Sequence, residues 1–115
     1  MITKNEDNIS IQDFIKLNIA LGTILEVTQN MKARKSAYIL KIDFGQNIGI
    51  KSTSAQITNY SKEELIGRQI VGICNLPSKN IAGFVSEVLV LGAVLGEEVH
   101  LLRTDNKLEN GTLVG

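Results

Sequence analysis

Two stretches concentrate the side chains that could act on a ligand. The first is Met31-Lys32-Ala33-Arg34-Lys35, three cations with no acid within several residues. The second runs from Asn75 through Leu76-Pro77-Ser78-Lys79-Asn80-Ile81-Ala82-Gly83-Phe84-Val85 to Ser86 and Glu87. Asn75, Lys79 and Ser86 offer an amide, a cation and a hydroxyl around a tight loop. Those groups suit phosphate, 2′-hydroxyl and base-edge contacts on single-stranded RNA. By composition alone, a solvated turn explains the cations and an ordinary polar loop explains the rest.

Catalytic constellations are missing. The chain has no GxGxxG, no phosphate-loop lysine motif, no HExxH and no CxxC. His100 is the only histidine and lies between Val99 and Leu101, with no local triad motif, so it reads as a structural or surface histidine. Cys74 is the only cysteine, which forbids an intramolecular disulfide and cannot anchor a zinc site alone. It sits in an apolar run and reads as a small buried hydrophobe. Glu63-Glu64 and Glu97-Glu98 are sequence neighbours, which do not face each other on a helix, so neither pair forms an acid/base couple. The sequence argues for a binder, not an enzyme, with no cofactor and no metal.

Charge is distributed unevenly behind a net value of zero. Residues 1–26 balance to −2, residues 27–62 to +5 and residues 63–115 to −3, so the middle of the chain is basic. The 115 residues make one domain, and 43% hydrophobic content with 21% charge builds a real core. The core is aromatic-poor, with three Phe, two Tyr and no Trp. Met1 to Ser10 contains no apolar leader region, and the longest apolar stretch, Val88 to Leu95, is too short to cross a bilayer. A soluble, cytoplasmic protein without membrane insertion is expected.

The elements that must position the two stretches are short. Ser10 is placed to cap a helix of about two turns, with Asp13 set to answer it and Ile11, Phe14, Ile15 and Leu17 on one face. Ile19 to Val27 alternates as a first strand, with Gly22 marking a bend or bulge. Tyr38, Leu40, Ile42 and Phe44 share one face of a second strand. A turn over Gly45–Gly49 leads to a third strand over Ile48–Ser52, and Ser54–Tyr60 could hold a short helix. Ser61-Lys62-Glu63-Glu64 is a capping-box pattern opening one helical turn that Gly67 closes. Gln69 to Leu76 suits a buried fourth strand ended by Pro77, and a loop to Gly83 precedes a fifth strand over Ser86–Leu91. A sixth short strand follows over Val99–Leu102. Asn110-Gly111 then turns the chain into Leu113-Val114.

Five main strands, one helical turn between the third and fourth, and glycines within strands predict an all-β, five-stranded Greek-key OB-fold barrel. A short N-terminal helix (arm 1–18) and C-terminal extension strands (97–115) complete a single domain over 1–115. In that fold the ligand face lies on the second and third strands and the loops joining strands one to two and four to five. The Lys32–Lys35 and Pro77–Gly83 segments are those loops.

Five stretches also carry a family resemblance. Leu17-Asn18-Ile19-Ala20-Leu21-Gly22-Thr23-Ile24-Leu25-Glu26-Val27 and Leu40-Lys41-Ile42-Asp43-Phe44-Gly45 resemble the opening of the tRNA-binding-domain family. Ile50 to Thr58, Ile81 to Phe84 and Ser86 to Gly92 are similar to its CsaA subgroup, and the likeness runs from about Asp13 to Gly115. The resemblance implies an OB-fold homodimer with two activities, binding of tRNA or other structured RNA and an export-related chaperone role with unfolded secretory precursors. It implies an RNA-contact motif at Asn75, Lys79, Gly83 and Ser86, with Ser52 near the same face and Lys32, Arg34 and Lys35 in a usually basic loop. Lys51 adds to that cationic face. Under the chaperone role, Ile81 and Phe84 would form an apolar peptide contact, whereas the simpler reading of Phe84 is that it packs the loop onto the barrel.

Departures from the subgroup pattern matter. Ser78-Lys79-Asn80 carries one cation where two adjacent arginines are common, and Val85 stands where a lysine is common. Lys32-Ala33-Arg34 replaces an Asp-Ala-Asp type of turn. Losing two or three phosphate contacts weakens RNA binding and flattens its salt dependence.

Overall fold

Alternating apolar residues make the first strand, β1 (Ile19–Gln29), long enough to serve two neighbours. In the computed structural model, which describes residues 7–115, its first half pairs antiparallel with β4 (Gln69–Ile73), Ile19 opposite Ile73 and Thr23 opposite Gln69. Its second half pairs with β2 (Tyr38–Asp43), Val27 opposite Leu40. A register shift between Ile24 and Glu26 bends the strand between the two partners. The bulge therefore falls at Leu25, not at the expected Gly22. Gly22 serves packing instead: a Cβ there would stand 2.6 Å from Phe44 Cδ1 and 2.8 Å from Ile42 Cγ2. The fully buried Phe44 ring occupies the space that the missing side chain leaves.

The third strand is β3 (Ile50–Ala55), paired with β2 from Tyr38–Ala55 to Asp43–Ile50. It starts and ends later than expected because Gly45–Ile48 closes into one helical turn, α2, not an open turn. Ser54–Tyr60 forms no helix; the strand continues through Ala55, and Tyr60 N then donates to Ile57 O in a turn. Ser61 and Glu64 make both halves of the expected capping box on α3 (Lys62–Leu65). Those bonds from Ser61 hold the exposed Glu64 carboxyl below its usual range. At the N-terminus, Ser10 Oγ accepts from Asp13 N over α1 (Ile11–Ile15), which is shorter than expected, and the Asp13 carboxylate faces Lys16 instead of answering the cap. Residues 1–6, most of the stretch read as lacking a leader, lie outside the described residues.

The expected Pro77–Gly83 loop is a hairpin, β5 (Lys79–Ile81) and β6 (Phe84–Ser86). The expected fifth strand, Ser86–Leu91, is broken, with Ser86 ending β6 and only Leu89–Val90 forming a strand, β7; beyond it β8 (Gly92–Leu95) pairs with β9 (Glu98–Leu101) in a second hairpin. The main sheet runs β3-β2-β1-β4-β7, and the chain around residues 86–88 returns to β3. The result is a nearly closed five-stranded antiparallel barrel, an OB-fold, with an N-terminal helix and extra C-terminal strands.

Ile24, Leu40, Ile42, Phe44, Leu65 and Ile70 fill the barrel. A smaller cluster of Ile19, Leu21 and Val71 lies under Phe14 and Leu17 of the N-terminal arm. The C-terminal segment closes the start of β1, with Gly111 N donating to Leu21 O at 2.7 Å and Val114 N to Ile19 O at 2.8 Å. Among the described residues no helix is long and apolar enough to cross a membrane. Gly22→Ala drives a methyl group into the Phe44 ring, and overpacking of this kind costs about 1–3 kcal/mol. A lower midpoint in equilibrium urea unfolding, with Gly49→Ala less suitable as a control because of its positive φ, checks this.

Candidate nucleic-acid interface

Asn30 organises the basic loop between β1 and β2. Only 6% exposed, it accepts from Lys32 N through Oδ1 at 3.2 Å, turning the chain so that the cations follow. Its Nδ2 donates to Ser54 Oγ on β3 at 3.0 Å. Ser54 N donates in turn to Ser86 Oγ at 2.9 Å, at the end of β6. One relay, Asn30–Ser54–Ser86, thus fastens the basic loop, β3 and the β5–β6 hairpin to one another. Sequence reading did not single out Asn30. Its signal was an Asn just before an exposed cationic turn, where an Asx turn is the natural local structure.

The same seam closes the barrel mainly through side chains. Ser52 O accepts from Glu87 N at 2.9 Å, and Ser52 N donates to the Glu87 carboxylate at 3.0 Å. Thr53 Oγ1 donates to Val88 O at 2.8 Å. Above these bonds lies a groove of about 400 Å³ whose walls include Ile57, Leu76, Pro77, Ile81, Val88 and Val99. Lys79 also lines it. A second niche, of about 300 Å³, lies between the basic loop and the tip of the β5–β6 hairpin, bounded by Met31, Lys32, Ile39, Ala82, Gly83 and Phe84. Lys35 lines a third recess, with Gln56, Thr58 and Val99.

Of the expected cations, Lys79 thus borders the groove, Lys32 the niche and Lys35 the third recess. Lys32, Arg34, Lys35 and Lys79 are exposed and Lys51 is half-buried. The ion pairs given for the described residues are Lys16–Asp13, Lys41–Glu26 and His100–Glu98, and none of them involves these five cations. Burial pushes the Cys74 thiol up, and the Lys51 charge pulls it partly back. His100 is an exposed partner of Glu98, as a surface histidine would be. No group of three or more metal-ligating side chains occurs among the described residues.

Residues 19–113 match the family model described as "Putative tRNA binding domain". The structure superposes on chaperone CsaA of Bacillus anthracis str. Ames with a TM-score of 0.90 and 44% identity, covering 95% of this chain and 100% of that one. The CsaA chaperone protein of Picrophilus torridus gives 0.89 and 50%, covering 94% and 100%. This chain belongs to the tRNA-binding-domain family, in its CsaA group. The methionine–tRNA ligase of Pyrococcus horikoshii is 33% identical over 112 residues, 96% of this chain but 15% of the ligase. The CsaA-type domain thus spans about a seventh of the ligases it matches, while the two CsaA chaperones match it along their whole length.

The motif positions of the CsaA-type domain occupy distinct places. Lys79 and Ser86 face each other across the β5–β6 hairpin, and Gly83 forms its tip. Ser86 is 6% exposed, with its hydroxyl already accepting from Ser54 N. Asn75 is exposed, yet its amide ties down the N-terminal arm: Oδ1 accepts from Asn18 N at 2.8 Å and Nδ2 donates to Lys16 O at 2.7 Å. Ser52 gives its backbone to Glu87. Ile81 and Phe84 are cross-strand partners that open into different cavities, the groove and the niche.

Ser86→Ala leaves the Ser54 N–H without its partner, a loss worth roughly 1–3 kcal/mol when the group is withheld from water. Asn75→Ala frees the N-terminal arm with little change in global stability. Urea unfolding and amide exchange should report a lowered midpoint for the first and faster exchange at Asn18 for the second.

Proposed function

We propose that this domain is a non-catalytic binder of structured RNA, tRNA foremost. Five cations outside the ion pairs of the described residues, three of them lining the groove, the niche and the third recess, support the reading. Lys32, Arg34, Lys35, Lys51 and Lys79 position phosphates. Ser52, which lies on the same seam, supplies a hydroxyl contact. Asn75 and Ser86 contribute by holding the arm and the hairpin in place, with their remaining hydrogen-bonding capacity open to an RNA group beside them. Shape and backbone contacts dominate over sequence in this mode.

Binding of bulk labelled tRNA across a salt series tests the reading. Log affinity should fall steeply with log salt, and Lys79→Ala or Lys32→Ala should each reduce the slope by about one. Absence of saturable binding at low salt contradicts it. A second reading, capture of unfolded secretory precursors, is favoured by the apolar groove that Ile81 lines and by the likeness to the two CsaA chaperones. Under it, an unfolded precursor binds with little salt dependence while tRNA does not bind.

We also infer a cytoplasmic homodimer. The unpaired thiol of Cys74 suits a reducing compartment. Ile11 and Ile15 of α1 and Leu113 of the C-terminal segment are each more than 60% exposed, and a partner copy would cover them. Sedimentation at micromolar concentration should report a dimer, and a stable monomer would contradict it.

A further inference from the structure

Four of the five aromatic rings are used inside the fold. Tyr38 and Phe44 lie in the barrel core, Tyr60 packs against it, and Phe14 packs against the smaller cluster under the N-terminal arm. Phe84 belongs to neither cluster. It is half-buried and borders the niche between the basic loop and the hairpin tip, so it does not serve mainly to pack a loop onto the barrel core.

Three further features make this niche unlike an ordinary surface dent. The hairpin turns through Ala82 at φ +51° and Gly83 at φ +79°, and Ala82 is the one non-glycine residue with positive φ among the described residues. A side chain in that region stores strain, so the surroundings must hold the turn in place. Asn80 Oδ1 does so in part, accepting from Gly83 N at 3.0 Å. Next, a Cβ at Gly83 would stand 3.4 Å from Lys32 Cδ and 3.9 Å from its Nζ, so the ammonium reaches the hairpin tip. Finally, Met31 is exposed beside Phe84 and Ile39, offering a polarizable apolar flank.

We propose that the niche receives one unpaired nucleobase, stacked on the Phe84 ring, with Lys32 on the adjoining phosphate. An apolar floor beside a cation outside the ion pairs of the described residues matches a nucleotide, which is a flat π-surface joined to an anion. A duplex keeps its bases inside the stack and presents no such face, so the ligand of this niche is a loop, bulge or end of a folded RNA. The inference rests on the RNA-binding reading and narrows it to an unpaired element. Arg34 and Lys35 then hold flanking phosphates, which contribute affinity without reading a base.

The test compares wild type, Phe84→Leu and Phe84→Trp on single-stranded oligoadenylate of about a dozen nucleotides, within the span an OB-fold covers. The same strand annealed to oligouridylate is the duplex probe, at matched salt. Wild type should prefer the single strand. Phe84→Leu keeps an apolar side chain but removes the ring, and should weaken single-strand binding about tenfold. Its salt slope and duplex affinity should not change, and Phe84→Trp should retain or exceed wild-type affinity. Thermal unfolding of each variant separates a misfolded protein from a lost contact.

Equal single-strand binding by wild type and a folded Phe84→Leu overturns the stacking. Preference of the wild type for the duplex overturns it too, while leaving the RNA-binding reading standing. Failure of the wild type to bind either oligonucleotide overturns the proposal, and failure to bind tRNA as well removes the RNA-binding reading with it. If an extended apolar peptide, and not RNA, loses binding in Phe84→Leu, the niche belongs to polypeptide and the proposal fails.

Discussion

The ligand face depends on how the barrel is closed. Between β3 and the chain at 86–88, one backbone bond, Glu87 N to Ser52 O, is joined by bonds from the side chains of Ser86, Glu87 and Thr53. A regular ladder there would zip both strand edges together. Side-chain closure instead holds them at fixed points and leaves room above for the groove and the niche. It also fixes what borders that room, because Ser54 accepts from Asn30 in the basic loop and donates to Ser86 at the hairpin. Buried polar bonds of this kind are costly when half-made, so the loop, the strand and the hairpin hold together as one unit.

Side chains replace strand neighbours elsewhere in the fold as well. The amide of Gln69 both donates to Leu108 O and accepts from Leu108 N, and the amide of Asn59 does the same for Val99. The amide of Asn75 bridges Lys16 O and Asn18 N. Tyr60 and Arg68 satisfy the backbone of Leu101. Each bond pairs a backbone group that lacks a strand neighbour. Together they attach the N-terminal arm, the C-terminal segment and the β8–β9 hairpin to a small barrel.

Much of the fold was legible because period and punctuation agree. Tyr38, Leu40, Ile42 and Phe44 alternate cleanly, and all four are buried on one face. Ser61 and Glu64 signalled their capping box correctly. The misreadings occur where tertiary contacts outweigh local pattern. Gly22 looked like a bulge, but what it accommodates is the Phe44 ring, a neighbour far away in sequence. The 77–83 stretch looked like a loop because Pro77, Asn80 and Gly83 are turn residues, yet a tight turn at Ala82-Gly83 is what a hairpin requires. For the site, the cations were visible by type alone. The uses of Asn75, Ser86 and Asn30 were not, because an amide or hydroxyl has the same sequence signature whether it faces a ligand or a backbone.

The central claim is that the relayed seam, and not the surface formed by α1 and the C-terminal segment, is the ligand face. Titrating isotope-labelled protein with tRNA and following backbone amide resonances addresses this most directly. Shifts should concentrate at residues 30–36, 51–54 and 79–86, with the resonances of α1 and residues 111–114 unmoved. Shifts centred on α1 and residues 111–114, with the seam silent, would contradict it.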